Sequence, residues 1–161
     1  MALNDSALAK DLERVLGSEP ASTVDAASAW MKAYQSYAQG ALSTASSLPV
    51  TVPANASILL GGFTAGLSAL TSATAGALIA QGITAFWQAM VWVGPTAAGT
   101  TSSPGNTALA GALAAVFGDL SGRSAAAKAS DLAKAFDAGA KAVIVSDIPF
   151  IPGAAIVGPI M

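Results

Sequence analysis

Cysteine and histidine are both missing from the 161 residues, and only 10% of the chain is charged. Without cysteine there is no disulfide framework and no thiolate metal site. Without histidine there is no imidazole ligand. A Ser-His-Asp triad or a Cys-His pair cannot be assembled within one chain. A net charge of −2 with seven Lys plus Arg leaves no electrostatic footprint for nucleic acid. Disorder is excluded from the other side, because it requires low hydrophobicity and 53% of this chain is hydrophobic. The first turns, MALNDSALAKDLER, are polar and charged and contain no apolar h-region. The expectation is synthesis in the cytoplasm without a secretory signal.

The scarce charge is unevenly placed. Eight charged residues lie between Asp5 and Lys32, eight more between Asp119 and Asp147, and none in the 86 residues between. A soluble surface needs charge. The uncharged middle must therefore be shielded by the charged ends, by neighbouring subunits or by lipid.

Hydrophobic spacing predicts a mainly α chain forming one helical domain, with about five helices. The first covers 4–16, with Leu8, Leu12, Val15 and Leu16 in one stripe and Asn4 or Asp5 as cap. The second covers 24–47, with Trp30, Met31, Tyr34, Ala38, Ala41, Leu42 and Ala45 in its stripe. Residues 48–57, with two prolines, read as an extended connector. The third covers 58–93, either as one helix or as two antiparallel helices broken near 72–76. Residues 94–106 read as a flexible loop, 108–117 as a short helix and 125–143 as an amphipathic helix capped by Ser124. Residues 142–161 carry Pro149, Pro152 and Pro159 and read as an extended apolar tail that can add short β-strands. No internal repeat at a fixed period is expected.

Chemistry-bearing patterns are few. Gly94 to Thr101 matches a phosphate loop in glycine spacing alone, because Thr100 stands where the lysine is needed. Asp5, Asp11 and Glu13, and Asp131 with Asp137, have basic neighbours and are read as solvated faces. Asp119 and Asp147 have no visible partner in the sequence. Trp30, Tyr34 and Tyr37 are spaced for helix packing. No catalytic, cofactor or metal site is expected.

Two features point to association instead. Small residues recur at four-residue spacing through Gly62, Gly66, Ala69, Ala73, Gly76 and Ala80. This places them on one face for close helix–helix contact. Phe86, Trp87 and Trp92, with Phe150 and Ile156 in the tail, are the candidate subunit-interface anchors. The sequence is therefore read as a non-enzymatic structural subunit of a large symmetric assembly. The natural example is a virion or phage-tail-like particle, with partners that are copies of itself and other subunits. The alternative is a small membrane hairpin, holin-like, pore-forming or an ejection conduit. Against it, 58–93 carries eight Ser, Thr and Gln residues and no flanking basic cluster.

Overall fold

A computed structural model describes residues 3–43, 49–51, 56–93, 97–102, 106–119, 122–149 and 156–161. Helix α1 spans Asp5–Leu16, where the Asn4 side chain accepts from the Ala7 amide. Helix α2 spans Thr23–Ala38, capped in the same way by Ser22. Helices α3 (Ala56–Leu67) and α4 (Ser72–Gln88) divide the long apolar segment. Helix α5 spans Thr107–Gly118 and α6 spans Ala125–Lys141, the latter capped by Ser124. The chain is mainly helical with short strands, as the hydrophobic spacing predicts.

Five strands form one antiparallel sheet in sequence order: β1 (Val50–Thr51), β2 (Val91–Val93), β3 (Ala97–Ser102), β4 (Ile144–Pro149) and β5 (Ile156–Pro159). Residues 42 and 43 join the two edges. Leu42 bridges to Pro49 ahead of β1, and Ser43 bridges to Ile160 after β5. Leu42 also exchanges two backbone hydrogen bonds with Met161, at 3.1 and 3.0 Å. The sheet thereby closes on itself, which removes its exposed edges.

The helices close as well. Each packs against the next from α1 to α6, and α6 packs back against α1. The two closures have one cause, a threefold recurrence of helix, helix and β-hairpin. The first helices begin at Asp5, Ala56 and Thr107, evenly spaced by 51 residues. Asparagine precedes each in the sequence, at 4, 55 and 106. The second helices follow Ser22, Thr71 and Ser124, whose side chains each cap the amide three residues on. Counted from these caps, the buried positions coincide: Ala27, Gly76 and Ala129; Trp30, Ile79 and Leu132; Tyr34, Ile83 and Phe136; Ala38, Trp87 and Ala140; Ala41, Met90 and Val143. The expectation of no repeat is overturned. What recurs is the burial pattern, while the side chains filling it differ.

Four boundaries differ from the sequence reading. The second helix ends at Ala38 rather than 47, because Gly40 weakens it and residues 42 and 43 pair with both sheet edges. The break in 58–93 falls at 68–71, ahead of the expected 72–76, because the Thr71 hydroxyl caps α4. That segment also ends in a strand: Val91 and Val93 are β-branched and pair with their neighbours in the ladder. Within 94–106, residues 97–102 form a strand paired along its whole length with β4. The tail does add short strands as expected, β4 and β5, and they pair within the chain's own sheet.

Trp30, Tyr34, Phe63, Phe86, Trp87 and Phe136 meet at the centre of the ring, all at most 4% exposed. Tyr34 lies 5.3 Å from Phe136 and 6.0 Å from Phe86, both edge-on, the arrangement ring quadrupoles favour. Each buried ring contributes about 1.5–3 kcal/mol. The sheet closes one end of this core through Trp92. Its ring stacks on Trp87 at 6.4 Å, and its Nε1–H donates to the Thr101 hydroxyl at 2.7 Å.

Candidate interaction surface and buried polar network

The ring has two chemically different halves. α6, α1 and α2 are contiguous and show Lys134, Lys141, Asp5, Lys10, Glu13, Arg14, Asp25 and Lys32 to solvent. α3, α4 and α5 are contiguous on the other side. Their solvent-facing residues are Ser57, Gly61 and Ala65; Ala73, Thr74, Ala77, Gln81 and Gln88; and Thr107, Ala108, Gly111, Ala112, Ala115 and Gly118. None is charged, and most are no larger than alanine. At Gly61 and Gly111 nothing lies within 4 Å of where a Cβ would stand.

The small-residue stripe has a different role from the one its spacing suggested. Gly62 faces Gly82 of α4, where a Cβ would approach the Gly82 Cα to 2.7 Å. Gly66 is covered by the Ile79 side chain. Gly76 faces α5, and a Cβ there would lie 2.5 Å from the Ala110 carbonyl oxygen. Ala80 is buried. These four pack the helices of one chain against each other. Ala69 falls in the turn after α3, and Ala73 is exposed. Phe86, Trp87 and Trp92 are fully buried within the chain, so they are core residues rather than subunit-interface anchors. Ile156 begins β5 opposite Asp147, and Phe150 lies outside the described residues.

Where the two halves meet at the pole opposite the sheet, a cleft of about 400 Å³ opens. All three repeats line it: Leu16 and Trp30 from the first, Leu67 and Leu70 from the second, Phe117, Lys128 and Leu132 from the third. Leu16 and Leu67 are the last residues of their helices, and Phe117 is the penultimate one. Leu70 stands fully exposed on its lip. A second void, of about 120 Å³ between α4, α5 and α6, is far smaller than the ~300 Å³ at which ligand sites begin.

Sequence reasoning missed one cluster. Asp137, read as part of a solvated face, is buried. The Tyr37 hydroxyl donates to its Oδ1 at 2.7 Å, and Lys141 Nζ lies 2.7 Å from Oδ2. Beside them the Trp87 Nε1–H donates to the Tyr34 hydroxyl at 2.8 Å. Burial raises both phenols well above the ordinary tyrosine value, and for Tyr37 the bond to Asp137 raises it further. The bond to Asp137 likewise raises Lys141. A phenol that resists ionising and whose proton is committed to a carboxylate is poorly suited to act as a general base near neutral pH. The arrangement ties helices together. The signal that concealed it is the Asp137–Lys141 spacing, which resembles an ordinary surface pair.

Asp119, without a partner in the sequence reading, pairs with Arg123 at 3.4 Å, and Arg123 also reaches Asp131 at 2.6 Å. Among the described residues no group of acidic side chains is placed to hold a metal ion. No helix among them is long and apolar enough to cross a membrane. Comparison with known protein families, with curated proteins and with solved structures finds no match for the chain.

Proposed function

We propose that this chain is a non-enzymatic structural subunit of a large symmetric assembly, of the class found in virions and phage-tail-like particles. The observation that carries this reading is the uncharged outer side of α3, α4 and α5. The charged helices stand on the opposite side of the ring and do not cover it. Soluble surfaces normally devote about a quarter to a third of their residues to charge, whereas the centres of protein interfaces are depleted in it. Glycine and alanine on a helix surface leave the backbone accessible to another helix, and they lose little side-chain entropy on contact. A standard interface requires about 800 Å² from each partner. That is about a tenth of the 7699 Å² this chain exposes.

The partners are further copies of the chain and other subunits of the same particle. The sheet places the strand-forming tail inside the chain's own fold, so the contacts are assigned to the helical faces rather than to an exchanged arm. The test is size-exclusion chromatography with light scattering, run without detergent, followed by electron microscopy of the eluted species. The expected result is a discrete multiple of the chain mass with rotational or helical symmetry. A well-folded monomer at all concentrations overturns the reading. Recovery only from detergent-extracted membranes, with leakage of liposomes, favours the membrane hairpin instead.

A further inference from the structure

We infer that two copies of the chain associate through the pole opposite the sheet, with Leu70 of each seated in the cleft of the other, against its apolar walls. This rests on the assembly reading and identifies one of its contacts. Leu70 is completely exposed, the only leucine among the described residues so placed. It stands on the lip of an apolar cleft of about 400 Å³, floored by Trp30 and walled by Leu16, Leu67, Phe117 and Leu132. Knob and hole belong to one patch. That is the requirement for a twofold contact, in which the same surface is used on both sides and each copy gives and receives once.

The internal repeat provides an independent argument. The turns between paired helices differ in length, six residues in the first and third repeats and four in the second, but each ends at a capping hydroxyl, on Ser22, Thr71 or Ser124. The residue before the cap is Ala21 in the first repeat, Leu70 in the second and Arg123 in the third. The first turn carries Glu19 and the third carries Asp119 and Arg123, while the second carries no charge. Only one of three equivalent positions is apolar and large, and it is the one on the uncharged side. Water is a poor environment for it, and the cleft is the apolar volume within its reach on a second copy.

The test uses the full chain in sedimentation equilibrium over a concentration series. Leu70→Asp removes the knob and keeps the hole. Ser72→Trp blocks the hole from its lip and keeps the knob. Leu70 is exposed in the single chain, so L70D retains the wild-type circular dichroism, and its unfolding midpoint matches at concentrations where both proteins are monomeric. Both knobs are lost when two L70D chains meet, so association is expected to weaken at least about a hundredfold, the loss of two buried leucines. Mixing L70D with S72W restores one knob-in-hole contact of the two, so the mixture associates more tightly than either variant alone. L70D associating as tightly as wild type overturns the inference and leaves the assembly reading standing on the other faces. A wild-type monomer throughout overturns both. Saturable binding of decanoate to that monomer, read from intrinsic tryptophan fluorescence and lost in Lys128→Ala, makes the cleft a small-molecule site and likewise overturns the inference.

Discussion

The Tyr37 hydroxyl and the Asp137 carboxylate are 100 residues apart in sequence and 2.7 Å apart in the fold. Their bond ties α2 of the first repeat to α6 of the third. The neighbouring bond from Trp87 to Tyr34 ties α4 of the second repeat to α2. Tyr34 and Tyr37 are in ring contact at 5.7 Å, so all three repeats meet in one polar cluster inside an apolar ring.

These two residues are the chain's only tyrosines, so its tyrosinate absorbance reports on this cluster alone. An ordinary phenol ionises near pH 10. Both hydroxyls here hold their protons to higher pH, through burial first and, for Tyr37, the Asp137 bond next. Above about pH 10 the unfolded chain therefore binds fewer protons than the folded one. Stability is fully present below that pH and falls as pH rises toward the folded-state values. The tyrosinate absorbance is expected to appear in one cooperative step together with loss of the helical circular dichroism. Ionisation of either phenol with the helical signal intact would contradict this.

Replacing Tyr37 by phenylalanine leaves Asp137 with Lys141 as its remaining side-chain partner. The expected cost is about 1–3 kcal/mol, the penalty for a buried acceptor that loses its donor. Urea unfolding should show a lower midpoint with an unchanged slope. A Tyr37→Phe protein as stable as the parent would mean that water replaces the phenol.

Adjacent glycines in α3 should respond with opposite sign. Gly61→Ala adds a methyl into open solvent and gains helix propensity, for about 0.5–1 kcal/mol of stabilisation. Gly62→Ala places its methyl 2.7 Å from the Gly82 Cα, where backbone must move. Overpacking of this kind costs about 1–3 kcal/mol and outweighs the propensity gain. Thermal unfolding of the two single variants checks the pair. A stabilising Gly62→Ala would refute the close crossing of α3 and α4.

The legible part of the fold was the part specified locally. α1 and α6 were read to within about two residues because each has a side-chain cap, Asn4 or Ser124, and one apolar stripe. The sheet is legible only in its β-branched tail, since β1 is two residues long and β3 is a Gly- and Thr-rich strand whose longest partner, β4, comes after two intervening helices. The repeat was hidden by its own fillings. Tyr34, Ile83 and Phe136 occupy one position and share only burial, and the outer faces differ completely in charge. Of the small-residue stripe, Gly62, Gly66, Gly76 and Ala80 make close helix contacts within the chain while Ala69 and Ala73 do not, because spacing alone cannot distinguish a neighbouring helix from a neighbouring chain or locate the turn.

Removing residues 156–161 should open the sheet. β5 is lost, the paired bonds between Leu42 and Met161 go with it, and buried Ile160 is removed. The expected cost is at least about 3 kcal/mol, from one buried aliphatic side chain and several unpaired backbone groups. Circular dichroism and thermal unfolding of the truncated chain test this. Full stability would show that the closure contributes nothing to the fold.

The threefold recurrence makes a demanding prediction about the chain ends. Between β1 and α3 the chain uses four residues, 52–55, and between β3 and α5 it uses four more, 103–106. The third equivalent junction runs from β5 to α1. Joining Met161 directly to Leu3 leaves Ile160, Met161, Leu3 and Asn4 between Pro159 and Asp5, again four residues. Connections of two to six residues are ordinary between a strand and a helix. A circular permutant so joined, and opened between Pro104 and Gly105, is expected to fold with the parental circular dichroism and to lie within about 2 kcal/mol of its stability, since every described helix and strand is kept whole. A control permutant opened at Ala80, which is fully buried in the middle of α4, should fail to fold. If the first permutant is molten or insoluble under conditions where the parent folds, the junction at the chain ends is not equivalent to the other two, and the ring of repeats is broken there.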